Sequence, residues 1–192
     1  MKKLSLSLVF FVFGIMAFSK NATLTLVVAG KTTYTTCEEG SAEIVISDIK
    51  GEVSKITGFD QFPNLEKLVL NSVSFAKNMR FEKDASKIKT LVMKFCSFYS
   101  LDFLTHLPSL EAVYAPFSVT RFTPLYEIDL TKSEKLVFFY MTHMQRNIQF
   151  KRIKALPPSL EVFSTTDAIF DMDNLRTLRD VGGGKLIYGL DS

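Results

Sequence analysis

The sequence predicts an α/β solenoid, a stack of short parallel strands joined by turns that cross an outer side. Three observations carry that prediction. The stretch IKTLVMKFC anchors its apolar side chains at Ile88, Leu91, Met93 and Cys96, in steps of three, two and three. A helix asks for steps of three and four and a plain strand for steps of two, so neither fits alone. The same spacing recurs at a near-constant interval, and proline stands shortly before several of the recurrences.

The chain begins with MKKLSLSLVFFVFGIMAFS, two lysines ahead of an apolar run from Leu4 to Phe18 that ends in small residues. This has the form of a secretory signal peptide over residues 1–19, and the run falls short of the roughly 20 residues that span a bilayer. The expected location is therefore extracellular or at the cell surface, with the periplasm the equivalent place in a bacterium. The whole chain has 192 residues, 23 basic and 20 acidic. Removing Lys2 and Lys3 leaves 21 basic against 20 acidic side chains, a net charge near +1. No basic stripe argues for nucleic acid, and no later segment is apolar enough to span a membrane.

Residues 20–40 follow as an N-terminal capping segment. ATLTLVVAG (Ala22 to Gly30) alternates weakly and runs into KTTYTTCEEG, threonine- and valine-rich as a strand or small hairpin requires. The repeat region then covers 41–180. Its units start at Ser41, Leu65, Ile88, Leu110, Leu136, Leu160 and Leu175, separated by 24, 23, 22, 26, 24 and 15 residues. In each unit the fourth and sixth positions point inward, for example Leu68 and Leu70 in LEKLVLNSV, and the third and fifth point out. Proline in FPNL, LPSL and LPPSL fixes the backbone and removes a donor just before the next strand. Leu101, Leu104 and Leu107, spaced by threes, suit a helical or 3₁₀ turn across the back. The last unit keeps only Leu175 and Leu178 and fails at Asp180, and residues 181–192, with GGGKLIYGL, read as a C-terminal capping segment.

The unit LxxLxLxx(N/C) resembles that of the leucine-rich repeat family, whose period is roughly 20 to 29 residues. IKTLVMKFC matches it most fully, with Cys96 in the Asn/Cys position, whereas Val73, Ser118, Met144 and Ala168 replace the polar residue in other units. The resemblance implies short parallel strands on a concave face and irregular or short helical convex turns. It also implies a secreted, non-enzymatic module for recognising a protein or cell-surface component. A structural or self-assembling extracellular protein is the alternative reading, and a secreted hydrolase a remote one.

Little in the chain points to catalysis. His106 and His143 fall in successive units on different faces, and neither HExxH nor GxSxG is present. Glu66, Glu111 and Glu161 follow the first leucine of their units, and Glu66, Lys89 and Glu111 form a ladder of opposite charges. Asp171 and Asp173 lie past the last full unit. Gly182 to Gly184 lack the Lys-Ser/Thr ending of a phosphate-cradling loop. Cys37 and Cys96 offer no metal-site spacing, and two cysteines are not a disulfide scaffold. No cofactor and no metal is expected.

The outward positions carry the candidate site. The third positions are Lys67, Thr90, Ala112, Phe138 and Val162, and the fifth are Val69, Val92, Tyr114, Tyr140 and Ser164. At the rim, the eighth positions are Ser72, Phe95, Phe117, His143 and Asp167. Phe95, Tyr114, Phe117, Phe138, Tyr140 and His143 would form an aromatic area flanked by polar groups, as a protein-binding surface requires.

Overall fold

The computed structural model describes residues 20–120, 127–141, 151–165, 168–170 and 185–186. The leader-like residues 1–19, His143, Asp171, Asp173 and the glycines 182–184 lie outside them. A hairpin comes first, β1 (Asn21–Val28) and β2 (Lys31–Glu38). Successive coils follow, each with a front and a back strand. They are β3 (Glu43–Ser47) with β4 (Glu52–Thr57), β5 (Lys67–Asn71) with β6 (Ser74–Phe81), β7 (Thr90–Lys94) with β8 (Ser97–Phe98), and β9 (Ala112–Ala115) with β10 (Val119–Thr120). Further along the chain stand β11 (Glu127–Asp129), β12 (Phe138–Met141), β13 (Lys151–Ala155), β14 (Val162–Thr165), β15 (Ala168–Phe170) and β16 (Lys185–Leu186).

The front strands form one seven-stranded sheet in the order β16-β14-β12-β9-β7-β5-β3. Every pairing in it is parallel and in register, so Val45, Val69, Val92, Tyr114, Tyr140 and Ser164 lie abreast. This register follows from the spacing of the inward side chains. Ile44 and Ile46, Leu68 and Leu70, Leu91 and Met93, Val113 and Ala115, and Phe139 and Met141 are all buried. A slip of one residue would expose each of these pairs, because side chains alternate between faces along a strand. The first residue of each unit from Leu65 to Leu160 is buried as well, closing the turn below its strand.

The far side corrects the expected α/β class and the leucine-rich repeat resemblance that rested on it. No α-helix occurs among the described residues. Instead β4, β6, β8 and β10 pair in parallel as a second sheet, which β1 and β2 extend in the order β10-β8-β6-β4-β1-β2. Strands β11, β13 and β15 form a third parallel sheet further along the chain. Helical geometry is confined to 3₁₀ turns at Phe59–Gln61, Lys83–Lys87 and Asp102–His106. The molecule is a parallel β-solenoid with four consecutive two-strand coils, not a horseshoe with helical convex turns. The reason lies in the back segments. EVSKIT buries Val53 and Ile56, and SFAKNMRF buries Phe75, Met79 and Phe81. The β-branched and aromatic side chains among them suit a pleated surface. The rings then pack across coils, Phe75 against Phe103 edge-on at 5.0 Å and against Phe98 at 6.4 Å.

A tight corner joins each front strand to its back strand. Asp48, Ser72, Phe95 and Phe117 occupy it in four successive coils, with φ of 54°, 55°, 53° and 53°. This left-handed conformation costs a residue with a Cβ roughly 1–2 kcal/mol. The stack holds it by bonding each corner to the next coil. The N–H groups of Asp48, Ser72 and Phe95 donate to the carbonyls of Asn71, Lys94 and Pro116 at 3.0, 2.9 and 3.3 Å. The residue after the corner points inward. Cys96 Sγ donates to the Leu70 carbonyl at 3.3 Å, and Ser118 Oγ donates to the Met93 carbonyl at 2.8 Å while accepting the Cys96 N–H at 3.3 Å. A buried carbonyl left unpaired costs about 1–3 kcal/mol, so these two side chains secure the corners from within. Both cysteines are free thiols, and burial pushes that of Cys96 up to about 11.

The hairpin sits on the N-terminal side of the stack. Val28 and Lys31 pair across Ala29 and Gly30, whose φ values of 48° and 78° are those of a type I′ turn. Strand β1 pairs antiparallel with β4 and buries Ala22, Leu24, Leu26 and Val28. Strand β2 lies beyond it and is largely exposed along its length.

Candidate interaction surface

The front sheet brings the predicted aromatic residues together as two stacked pairs. Tyr114 on β9 is in register with Tyr140 on β12, and their rings stack with centroids 4.9 Å apart at 18°. Phe95 and Phe117, one coil apart at the corner, stack at 5.4 Å and 12°. Each of these phenylalanines is 52% exposed, although a left-handed corner favours glycine or asparagine. Phe138 is half-buried, in register with Ala112 and Val162. His143 lies outside the described residues.

The apolar column is longer than the predicted patch. Val92 and Val69 continue it below Tyr114 and are buried by their neighbours, and Val45 ends it 53% exposed. Val45 occupies the fifth position of the first unit, so the spacing already contained the signal. A charged row runs beside the column. Lys67 meets Glu43 at 2.7 Å, and Lys89 meets Glu66 at 2.6 Å. The hydrogen bond from Lys89 to Glu66, then the charge of Glu66, hold the lysine pKa above its usual range, and Glu111 adds to that effect. The ladder of Glu66, Lys89 and Glu111 is thus a surface charge pattern. On the back, the Lys55 hydrogen bond holds the Glu82 carboxyl below its usual range.

The N-terminal edges of the two main sheets were not singled out by sequence. Strand β3 ends the front sheet and β2 ends the back sheet. The Ala42 carbonyl accepts the Lys67 N–H at 3.0 Å, so the peptide groups of Glu43, Val45 and Ser47 point away from β5. In the hairpin, Val28 and Lys31 flank a two-residue turn and form a hydrogen-bonded pair, and such pairs alternate. The peptide groups of Thr32, Tyr34, Thr36 and Glu38 therefore point outward, away from β1. A row of outward peptide groups is a template for another strand.

A hollow of about 490 Å³ lies between Pro63, Leu65, Glu66, Lys87, Lys89 and Ser109, where the 3₁₀ turns meet the front strands. Among the described residues no group of three His, Cys, Asp or Glu is placed to hold a metal ion. No helix among them is long and apolar enough to cross a membrane. Compared with known proteins, the chain matches no family model and no curated protein sequence. The recognition function implied by the leucine-rich repeat resemblance is accordingly corrected, because the helical-backed fold that carried it is absent.

Proposed function

We propose that the chain is a structural, self-associating β-solenoid module, exported from the cell and without enzymatic activity. The carrying observation is the N-terminal edge, where among the described residues the back sheet finishes in an eight-residue, largely exposed strand whose Thr32, Tyr34 and Thr36 peptide groups point away from β1. A solenoid buries each coil against its neighbours, and its terminal strands are where that stacking stops. The in-register front sheet, with its apolar column and stacked tyrosines, adds a rigid platform. The leader-like run over residues 1–19 supports export, and the partner favoured by these features is a protein, a second copy of the chain.

Sedimentation velocity across a concentration series tests the reading. A mass that rises with concentration from one chain to two or more is expected. A single-chain mass at every concentration would overturn it.

A further inference from the structure

We infer that β2 is the self-association interface, pairing antiparallel with β2 of a second copy about a twofold axis. This rests on the self-associating reading above and says which residues perform it.

Three features of β2 point to its own copy as the occupant. The first is its lack of protection. Natural edge strands are kept short, bulged, or interrupted by proline or inward-facing charge. Strand β2, KTTYTTCE, is eight residues long, has no proline, and keeps an unbroken register with β1 across all eight pairs. From Thr32 to Cys37 it carries no charge.

The second feature is charge. Lys31 stands at one end of the strand, and Glu38 and Glu39 stand at the other, where Glu39 already meets Lys20 at 3.2 Å. One end therefore carries an extra positive charge and the other an extra negative one. Antiparallel pairing with an identical strand brings the Lys31 of each copy to the Glu38–Glu39 end of the other. Both ends are then neutralised. Parallel pairing would place like charges together, which is unfavourable.

The third feature is register. The outward peptide groups belong to Thr32, Tyr34, Thr36 and Glu38, and an antiparallel hydrogen-bonded pair must join two such residues. With Thr35 on the axis, Tyr34 faces Thr36 of the second copy and Thr32 faces Glu38. The Glu38 carbonyl already accepts the Ser41 N–H at 3.1 Å, so about six new backbone hydrogen bonds form, and Lys31 lies opposite Glu39. Thr33 lies opposite Cys37 in a close, non-hydrogen-bonded pair. The two Tyr34 side chains, each 67% exposed in the single chain, become diagonal neighbours within reach of one another. The back sheets of two copies would run on as one sheet. A strand pair is small beside a standard interface of roughly 1,600 Å², so the association is weak, concentration dependent and reduced by salt.

The test uses the full chain in four forms, each first shown to melt cooperatively near the parent temperature. Tyr34→Pro removes an outward N–H and leaves the β1 ladder intact, since proline is tolerated on a strand edge. Sedimentation should show its dissociation constant raised about tenfold or more, a loss of at least one factor of ten in affinity. Val45→Pro makes the same change on the β3 edge and should leave association unchanged. Thr33→Cys, under a mild disulfide oxidant, should give a covalent dimer through Cys37 of the second copy, which the parent chain does not form. An associating parent with Tyr34→Pro unaffected, or with no Thr33→Cys crosslink, overturns this interface while self-association stands. A parent that stays a single chain overturns both.

Discussion

The two main sheets end differently on the same side of the molecule. The front sheet ends in β3, five residues long, with Glu43 tied to Lys67 at 2.7 Å and Asp48 at its corner. The back sheet ends in β2, eight residues long and uncharged between its ends. Both present outward peptide groups, so hydrogen-bonding capacity alone does not separate them. Length and charge placement do. A short strand whose glutamate is already paired gives an incoming strand little to pair with and offers a copy of itself no complementary charge. A long strand with lysine at one end and glutamates at the other attracts a copy of itself in one orientation. The core is closed on this side by β1, whose even-numbered residues Ala22 to Val28 are buried. Strand β2 adds no comparable burial, which leaves it available for association.

The harshest way to break the comparison is to break the interior that both edges share. Leu91 is fully buried on β7, an inner strand of the front sheet. Leu91→Asp places a charge in that interior and should cost about 4 kcal/mol or more, read as loss of the cooperative transition in urea. Near-parent stability would refute the inward register.

A matched pair of substitutions sharpens it. Leu26 on β1 and Ile44 on β3 are both buried. Leu26→Ala and Ile44→Ala should each cost about 2–5 kcal/mol by denaturation. In conditions where both variants remain folded, Leu26→Ala should also weaken association, because it loosens the platform beneath β2. Ile44→Ala should not. Equal association in the two variants would remove the distinction between the edges.

Next in size is an effect of pH on the interior alone. Burial raises the Cys96 thiol from 9.0 to about 11. A raised folded-state value means that the contribution is fully present below the unfolded value and is lost as pH rises through the folded one. The loss falls between about pH 9 and 11 and amounts to about 3 kcal/mol. Cys96→Ser does not titrate there and keeps a donor for the Leu70 carbonyl. The difference between parent and variant stability, followed by urea denaturation, should therefore shrink over that window. A constant difference would contradict the burial of this thiol. The smallest effect belongs to the outer front face. Tyr114→Ser removes the stack on Tyr140 at 4.9 Å and should cost about 0.5–1.5 kcal/mol with no change in association. A fall in association would move the interface to that face.

The front sheet was legible because its coils repeat a three-two-three step that assigns Leu68, Leu70, Leu91 and Met93 to one interior. The back sheet was not. Strand β6 buries Phe75, Met79 and Phe81, and its pairing with β4 skips from Phe75 to Arg80 while β4 advances only from Val53 to Lys55. That extra chain breaks the alternation by which a strand is recognised. The spacing by threes at Leu101, Leu104 and Leu107 matches the 3₁₀ turn at Asp102–His106, whereas the helical far side implied by the leucine-rich repeat resemblance is replaced by strands. The Tyr114–Tyr140 and Phe95–Phe117 stacks join residues that the repeat spacing had placed abreast. The left-handed corner at Phe95 and Phe117 was hidden, since phenylalanine carries no signal for it. The β2 edge was hidden for another reason. KTTYTTCE has strand-forming composition, but being an edge is a property of sheet order rather than of local sequence.

Hydrogen exchange read amide by amide at low and high protein concentration tests the central claim most directly. The account predicts that Thr32, Tyr34, Thr36 and Glu38 exchange rapidly in dilute solution and gain protection when concentrated. Glu43, Val45 and Ser47 should exchange alike at both concentrations. Protection appearing on β3 instead, or on neither edge, would contradict it.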